Sequence, residues 1–461
     1  MEDMMELDMT KGSPSRLILK FIVPLIIGNI FQQLYSMVDT IIVGQYVGVQ
    51  ALAAVGATGT INFLILGFMM GMTSGFTVPV AQRFGAGDYK GMRAGIANAA
   101  RLSVIVAVIM TLISILGMRA LLRIMNTPED IFEMSWTYIV ILCAGMVCIV
   151  LYNLLAGILR AIGNSKVPLF FLVVSAALNI LLDLFLIRVI PLGVAGAALA
   201  TVISQGISGL LCLFYLWKKV PLVHPEKEEW AADKDCMGLQ VKIGLPMALQ
   251  FSITAIGTIM VQSVLNLFGS TVIASYTAAS KVEALVTQPF GAMGMTMATY
   301  GAQNRGINDL SRIRRGVRIA NGMSAGYALV IYGVAVVMMP YLIPLFVSEN
   351  ISEVLVYATI YMKICGAFFI PLGMIFIFRN ILQGCGFSFV PMFGGVIELV
   401  SRMAAALLAA HFFSYEGICV ANISAWLTAG VYLLIGYIVI MRRMLKREEA
   451  GTVQTAEAGQ K

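Results

Sequence analysis

Charge is what this sequence has least of. Asp, Glu, Lys and Arg make up 12% of its 461 residues, against about 25% in soluble proteins. Hydrophobic residues reach 59%. A soluble fold cannot bury that much apolar surface and still cover its outside with polar groups. A soluble enzyme, a nucleic-acid binder and a disordered chain are therefore excluded, and lipid is the solvent for most of the molecule. Histidine is scarcer still: His224 and His411 are the only two. There is no His-Glu-x-x-His and no Gly-x-Ser-x-Gly, so no enzyme chemistry is expected. The seven cysteines show no Cys-x-x-Cys spacing. Six sit in or beside apolar runs and Cys236 lies among charges, which excludes a disulfide framework and a cysteine metal site. No cleavable signal is expected either. The first apolar run follows an acidic, Met-rich leader and is too long for a signal core. A channel is not expected, because no filter-like segment stands out.

Apolar runs are abundant. Reading breaks at Gly, Pro and charge clusters gives twelve candidate membrane helices. They cover 17–44, 52–81, 94–117, 134–160, 168–188, 193–216, 241–268, 271–301, 319–346, 355–381, 389–412 and 417–441. If both termini are cytoplasmic, 24 of the 31 basic residues fall on the inner side and only Arg119, Arg123 and Arg188 on the outer. That asymmetry follows the positive-inside rule and predicts both ends inside. The net charge of +7 is then topology, not the footprint of an acidic partner.

The chain compares well with itself. Pro24 matches Pro246. The loop AQRFGAGDYKGMRAG at 81–95 matches AQNRGINDLSRIRRG at 302–316. LRAIGNSKVP at 159–168 matches LQGCGFSFVP at 382–391, and Gly193 matches Gly417. The offsets drift only from 221 to 224, as a duplication predicts. Each copy holds six spans, so the copies run parallel, an arrangement that transporters use. The expected organisation is an N-terminal tail at 1–12, a lobe at 13–217, a solvated cytoplasmic linker at 218–240, a second lobe at 241–441 and a tail at 442–461. Asp88 and Asp309, in the repeated loops, are placed to cap the helices that follow.

Ionisable groups inside spans are costly, and each is a functional candidate. The first copy has two: Asp39 in the first span and Asp183 in the fifth. Asn179 lies four residues before Asp183 and shares its helix face. By helical rise, Thr201 reaches the same depth. These oxygens are a candidate cage for H⁺ or Na⁺. At matching offsets the second copy has Val261, Arg402, Ala406 and Ala425, so the set belongs to one half. In the second copy Glu398 and Arg402, spaced i, i+4, predict an ion pair. Glu283 is a candidate secondary site for a cationic substrate. Gln32, Gln33, Tyr35 and Asn153, with Gln250, Gln262 and Asn266, are candidates to line a cavity. The 29 methionines suit varied apolar ligands.

Together these features resemble the multidrug and toxic compound extrusion (MATE) family. The resemblance rests on the two six-span halves, on PLIIGNIFQQLYSMVDTIIVGQYVG at 24–48 and the AQRFGAGD loop at 81–88, and on LRAIGNSKVP at 159–168 and GVAGAALATVISQ at 193–205. It spans about 13–445 and is closest to the bacterial branch with a cation site in the N-lobe. It implies an all-α polytopic membrane protein: twelve helices in two pseudo-symmetric six-helix bundles, arranged as a V. It also implies a monomer in the bacterial cytoplasmic membrane, without a cofactor and without a nucleic-acid partner. The implied activity is export of drugs or toxic organic cations in exchange for H⁺ or Na⁺. By position, Asp39, Asn179, Asp183 and Thr201 match the family's N-lobe cation site. Tyr35 and Asn153 match cavity positions, and Pro24 matches the first-helix proline linked to bending. The C-lobe acids that another branch carries in its seventh and tenth helices are missing, and Arg379 stands in the tenth. The rival reading is a flippase for lipids or lipid-linked oligosaccharides. It calls for a large cationic cavity, whereas the N-lobe here offers acids.

Overall fold

In lipid an unpaired backbone N–H or C=O costs several kcal/mol, so each segment must satisfy its own backbone. The computed structural model describes residues 7–346, 350–412 and 414–458, and these form helices joined by short turns. In order they are α1 (Pro14–Tyr46), α2 (Val49–Gly85), α3 (Tyr89–Ile124), α4 (Glu129–Ala144), α5 (Met146–Ala161), α6 (Lys166–Leu184) and α7 (Val194–Lys219). There follow α8 (Lys234–Leu265), α9 (Ser270–Val286), α10 (Gln288–Gly306), α11 (Leu310–Leu342), α12 (Ile351–Gly366), α13 (Phe369–Gly384), α14 (Phe389–Phe412) and α15 (Tyr415–Ala458). There is no strand among the described residues.

Among the described residues nine helices are long and apolar enough to cross a membrane, and α4–α5 and α12–α13 qualify as pairs bent by 48° and 52°. The remaining expected span, 271–301, is the pair α9 and α10 with a break at Thr287. Three of the twelve spans read as continuous are thus broken. Two of the breaks have a proline as cause. Pro289 and Pro371 lack the N–H that would bond back one turn, so the helix gives way just before each. At the third, Gly145 leaves room for the Val202 side chain, which a Cβ there would strike. His411 lies in the last turn of α14.

The duplication is written into the backbone. Positive φ recurs at matching positions: Gly48 and Gly269, Gly87 and Asn308, Asn126 and Asn350, Gly163 and Gly386. At Gly163 (φ 87°) and Gly386 (φ 89°) the repeated LRAIG and LQGCG stretches end a helix in a conformation that residues with a Cβ rarely adopt. Asp88 accepts from the Gly91 N–H at 2.9 Å and Asp309 from the Arg312 N–H at 2.8 Å, so both are N-caps as expected.

The chain divides into two compact units. One comprises Met1–Asp8 and Leu19–Ala255, the other Met9–Ile18 and Ile256–Lys461. In the first unit α2 packs on α3, α4 and α5, while α7 packs on α4, α5 and α6. Small residues bring α2 and α8 together: a Cβ on Gly71 would lie 2.6 Å from the Ala248 Cα, and one on Gly75 would strike the Gly244 Cα. In the second unit α13 packs on α10, α11 and α15, and α14 packs along α15. The outward faces are apolar. Val104, Val108, Leu112 and Leu116 form an exposed stripe on α3, as a lipid-facing surface requires.

Candidate functional site

Within the first unit α1, α6 and α7 bring the predicted oxygen set together. Asn179 and Asp183 are buried on one face of α6, at 2% and 0% exposure. The half-buried Asp39 on α1 brings its carboxyl to side-chain hydrogen-bonding range of Asp183. Asn179 Nδ2 donates to Thr201 Oγ1 at 3.5 Å, and that hydroxyl donates to the Ala197 carbonyl at 3.1 Å. As carboxylates neither aspartate can donate to the other. One Asp39 oxygen, both Asp183 oxygens and Asn179 Oδ1 are then buried without a partner. Buried acceptors are costly without a donor or a positive charge beside them. Oxygen-only ligands suit a hard cation. Among the described residues no group of three or more His, Cys, Asp and Glu side chains is placed to hold a metal ion. The set on offer is therefore two carboxyls, one amide oxygen and one hydroxyl.

The surroundings are apolar with two tyrosines. Tyr138 on α4 is 7% exposed and lies within electrostatic reach of Asp39, Asp183 and Tyr35. Sequence reading missed it, because no repeat or spacing singles out one tyrosine in an apolar run. Ile42, Val43 and Ile187, with Val38 and Leu184, belong to the hydrophobic cluster that contains Tyr138. Tyr35 shares a side-chain hydrogen bond with Gln205. Asn153 on α5 donates to the Ile149 carbonyl of its own helix at 2.8 Å. Gln32 is exposed on α1 and Gln250 is buried in α8. Gln32, Gln33, Tyr35, Asn153 and Gln250 lie in the first unit, whereas Gln262 and Glu283 lie in the second. Asn266 falls outside the residues whose side chains are described.

The second unit has its own polar interior. Glu398 on α14 accepts from Arg402 Nη2 at 2.8 Å, the expected i, i+4 pair. Its other oxygen accepts from Arg379 Nη2 on α13, also at 2.8 Å, which the sequence did not reveal. Glu283 on α9 accepts from the Tyr361 hydroxyl of α12. Asn422 of α15 donates to that hydroxyl at 3.3 Å and to the Tyr276 hydroxyl at 3.1 Å.

The stretch after α7 is mostly exposed, and it is tied to α3. Arg93 on α3 holds Glu229 with two 2.7 Å hydrogen bonds and reaches Glu226 at 3.2 Å. Glu229 itself is 6% exposed. The hydrogen-bonded Arg93 guanidinium holds its carboxyl below the usual range. Arg101 donates to the Trp230 carbonyl, and Gln240 donates to the carbonyls of Phe76 and Gly95 at 3.2 and 2.8 Å.

The family model described as MatE matches this chain twice, at residues 24–185 and 243–408, once in each copy of the duplication. This chain belongs to the MATE family. MATE proteins are multi-pass membrane transporters and not enzymes. The probable multidrug resistance protein YpnP of Bacillus subtilis is 30% identical over 82% of this chain and 84% of its own length. A second B. subtilis relative, the probable multidrug resistance protein YoeA, is 30% identical over 71% of this chain and 72% of its own. A crystal structure of MATE in complex with MaL6 superposes with a TM-score of 0.90 at 22% identity, covering 96% of this chain and 99% of that one. At that identity the likeness concerns the fold, and it places this MATE chain among helical bundles with twelve membrane helices.

Proposed function

We propose that this MATE transporter is a secondary active exporter. It carries cationic or amphipathic small molecules out of the bacterial cytoplasm in exchange for H⁺ or Na⁺, with the lobes 13–217 and 241–441 as its transport units and both termini cytoplasmic. One observation carries the reading: Asp39 and Asp183 face each other, and one Asp39 oxygen, both Asp183 oxygens and Asn179 Oδ1 are buried without a donor when both acids are ionised. The site works by charge. An exported cation and an inward-moving ion both compensate the same carboxyls, so they compete. Ion uptake at Asp39 and Asp183 weakens the hold on a cationic substrate and promotes its release. Thr201 and Asn179 orient the cluster and supply further oxygens for Na⁺. Pro24 interrupts the backbone bonding of α1 and gives that helix a place to bend as the cluster loads. Tyr35, Asn153, Gln32 and Gln250 are assigned to cargo binding in the first unit, and Glu283 to a secondary site for a cationic substrate in the second. The multidrug-resistance names of its relatives support drugs as cargo. Acids in the first unit favour this reading over a phospholipid flippase.

The test is drug resistance and dye efflux in cells expressing Asp39→Asn or Asp183→Asn. Both substitutions keep the side-chain volume, so the expected result is normal expression with efflux lowered at least about tenfold, the loss of one charge-assisted interaction. Wild-type efflux in both variants would remove the assignment.

A further inference from the structure

The repeated loops that join α2 to α3 and α10 to α11 do more than turn the chain. In the second unit Met9, five residues ahead of α1, is 0% exposed, and so are Gln303 and Asn304 at the end of α10. The Met9 N–H donates to Gln303 Oε1 at 2.8 Å. Its carbonyl accepts from Asn304 Nδ2 at 3.2 Å and from Arg312 Nε and Nη2 at 3.1 and 3.0 Å. One residue is thus held by its N–H, its carbonyl and its side chain, and the bonds from the guanidinium are of the stronger, charge-assisted kind. Asp309 caps the Arg312 N–H and so fixes the turn from which that guanidinium reaches. The first unit uses its matching loop in the same way. Arg83, the counterpart of Asn304, reaches Cys236 Sγ in the first turn of α8 at 3.6 Å. Asn98 on α3 accepts from the Asp233 N–H just ahead of α8 at 3.2 Å. The grouping of the chain agrees: Met9–Ile18 belong to the second unit although the rest of α1 belongs to the first, and α8 belongs to the first unit as far as Ala255.

We propose that Gln303, Asn304 and Arg312 form an anchor that ties the start of α1 to the second unit. α1 then begins in one unit and carries Asp39 in the other. Gly12 is the joint between anchor and helix: its φ is 84° and nothing lies within 4 Å of a Cβ built on it. A displacement of α1 at Asp39 is transmitted to the second unit through the anchored end. That last step rests on the ion-coupling reading of the first unit, whereas the anchor does not.

The test uses the full-length chain with Met9→Lys or Arg312→Ala. Met9→Lys lies ahead of the helices, leaves them intact and puts a charge into a buried place beside a guanidinium, which expels the segment. Arg312→Ala removes two of the four hydrogen bonds at Met9. Hydrogen exchange at the Met9 amide of the purified chain reads docking, and dye efflux from energised cells, per folded molecule, reads transmission. Exchange at Met9 is expected to be slow in wild type and at least about tenfold faster in both variants. Efflux per folded molecule is expected to fall at least about fivefold, with the equilibrium affinity of the purified chain for the dye within about twofold of wild type. A loss of stability alone would lower the amount of folded chain and leave efflux per molecule unchanged. If Arg312→Ala cannot be purified, Met9→Lys decides. Fast exchange at Met9 in wild type, unchanged exchange in the variants, or a freed segment with wild-type efflux overturns the proposal, as does an equal loss of dye affinity. Wild-type efflux in Asp39→Asn is a separate result, and it removes the ion-coupling reading without touching the docking of Met9.

Discussion

At the scale of single residues, carboxyls and guanidiniums in this molecule are few and each has a partner problem to solve. Asp39 and Asp183 face each other, which makes them the candidate site. Glu398 has two arginines, which makes it a structural keystone. Replacing Glu398 by Ala leaves two buried guanidiniums without their shared partner. The expected cost is about 3–5 kcal/mol, read as a lowered midpoint in chemical or thermal unfolding. Asp183→Asn, by contrast, is expected to leave the unfolding midpoint near wild type while transport falls. The acids were legible in the sequence because any charge in an apolar run stands out. The Glu398–Arg402 pair was legible from its helical spacing. Arg379 was not assignable, since its partner lies nineteen residues on, across a turn, on the next helix. Tyr138 and the Tyr276–Tyr361–Asn422 group escaped notice for a related reason. Neutral side chains carry no local signal until the fold sets them beside an acid.

At the scale of elements, small residues and caps decide how the helices meet. Gly71 and Gly75 on α2 face Gly244 and Ala248 on α8 with backbones nearly touching. Such crossings hold through close packing, which a larger side chain prevents. Gly75→Val is expected to destabilise by at least about 1–3 kcal/mol, measured as lower yield and a lower melting temperature, whereas Gly322→Val, where nothing lies nearby, is expected to be tolerated. The strap after α7 gives a pH prediction. The Arg93 hydrogen bonds hold the Glu229 carboxyl below its ordinary range. The contribution of a depressed acid is fully present above the ordinary value and lost as pH falls through the depressed one. Docking of residues 221–233 is therefore expected to stay constant from neutral pH down to about 5 and to loosen only below about 4. Glu229→Gln loosens it at every pH. Limited proteolysis in this stretch reads both. The sequence showed the charges here but not their order, because the partners are more than a hundred residues apart.

At the scale of the whole molecule, one unit was duplicated and only the first copy carries the facing Asp39 and Asp183 carboxyls. The duplication was legible before any coordinates, since matching glycines, asparagines and capping aspartates must recur wherever the turns recur. The number of spans was legible for the same reason. Where a span breaks was not, because Gly and Pro also occur inside unbroken helices: Pro24, Pro79, Pro246 and Pro340 all do. The central claim is that the asymmetry between the copies is functional. It is tested most directly by reconstituting the chain in vesicles, imposing an H⁺ gradient or a Na⁺ gradient separately, and following a fluorescent organic cation. Wild type is expected to move the dye against its gradient when one of the two is imposed, and Asp39→Asn and Asp183→Asn to lose that response together. Transport in both variants at wild-type rate, with the same gradient dependence, would contradict it.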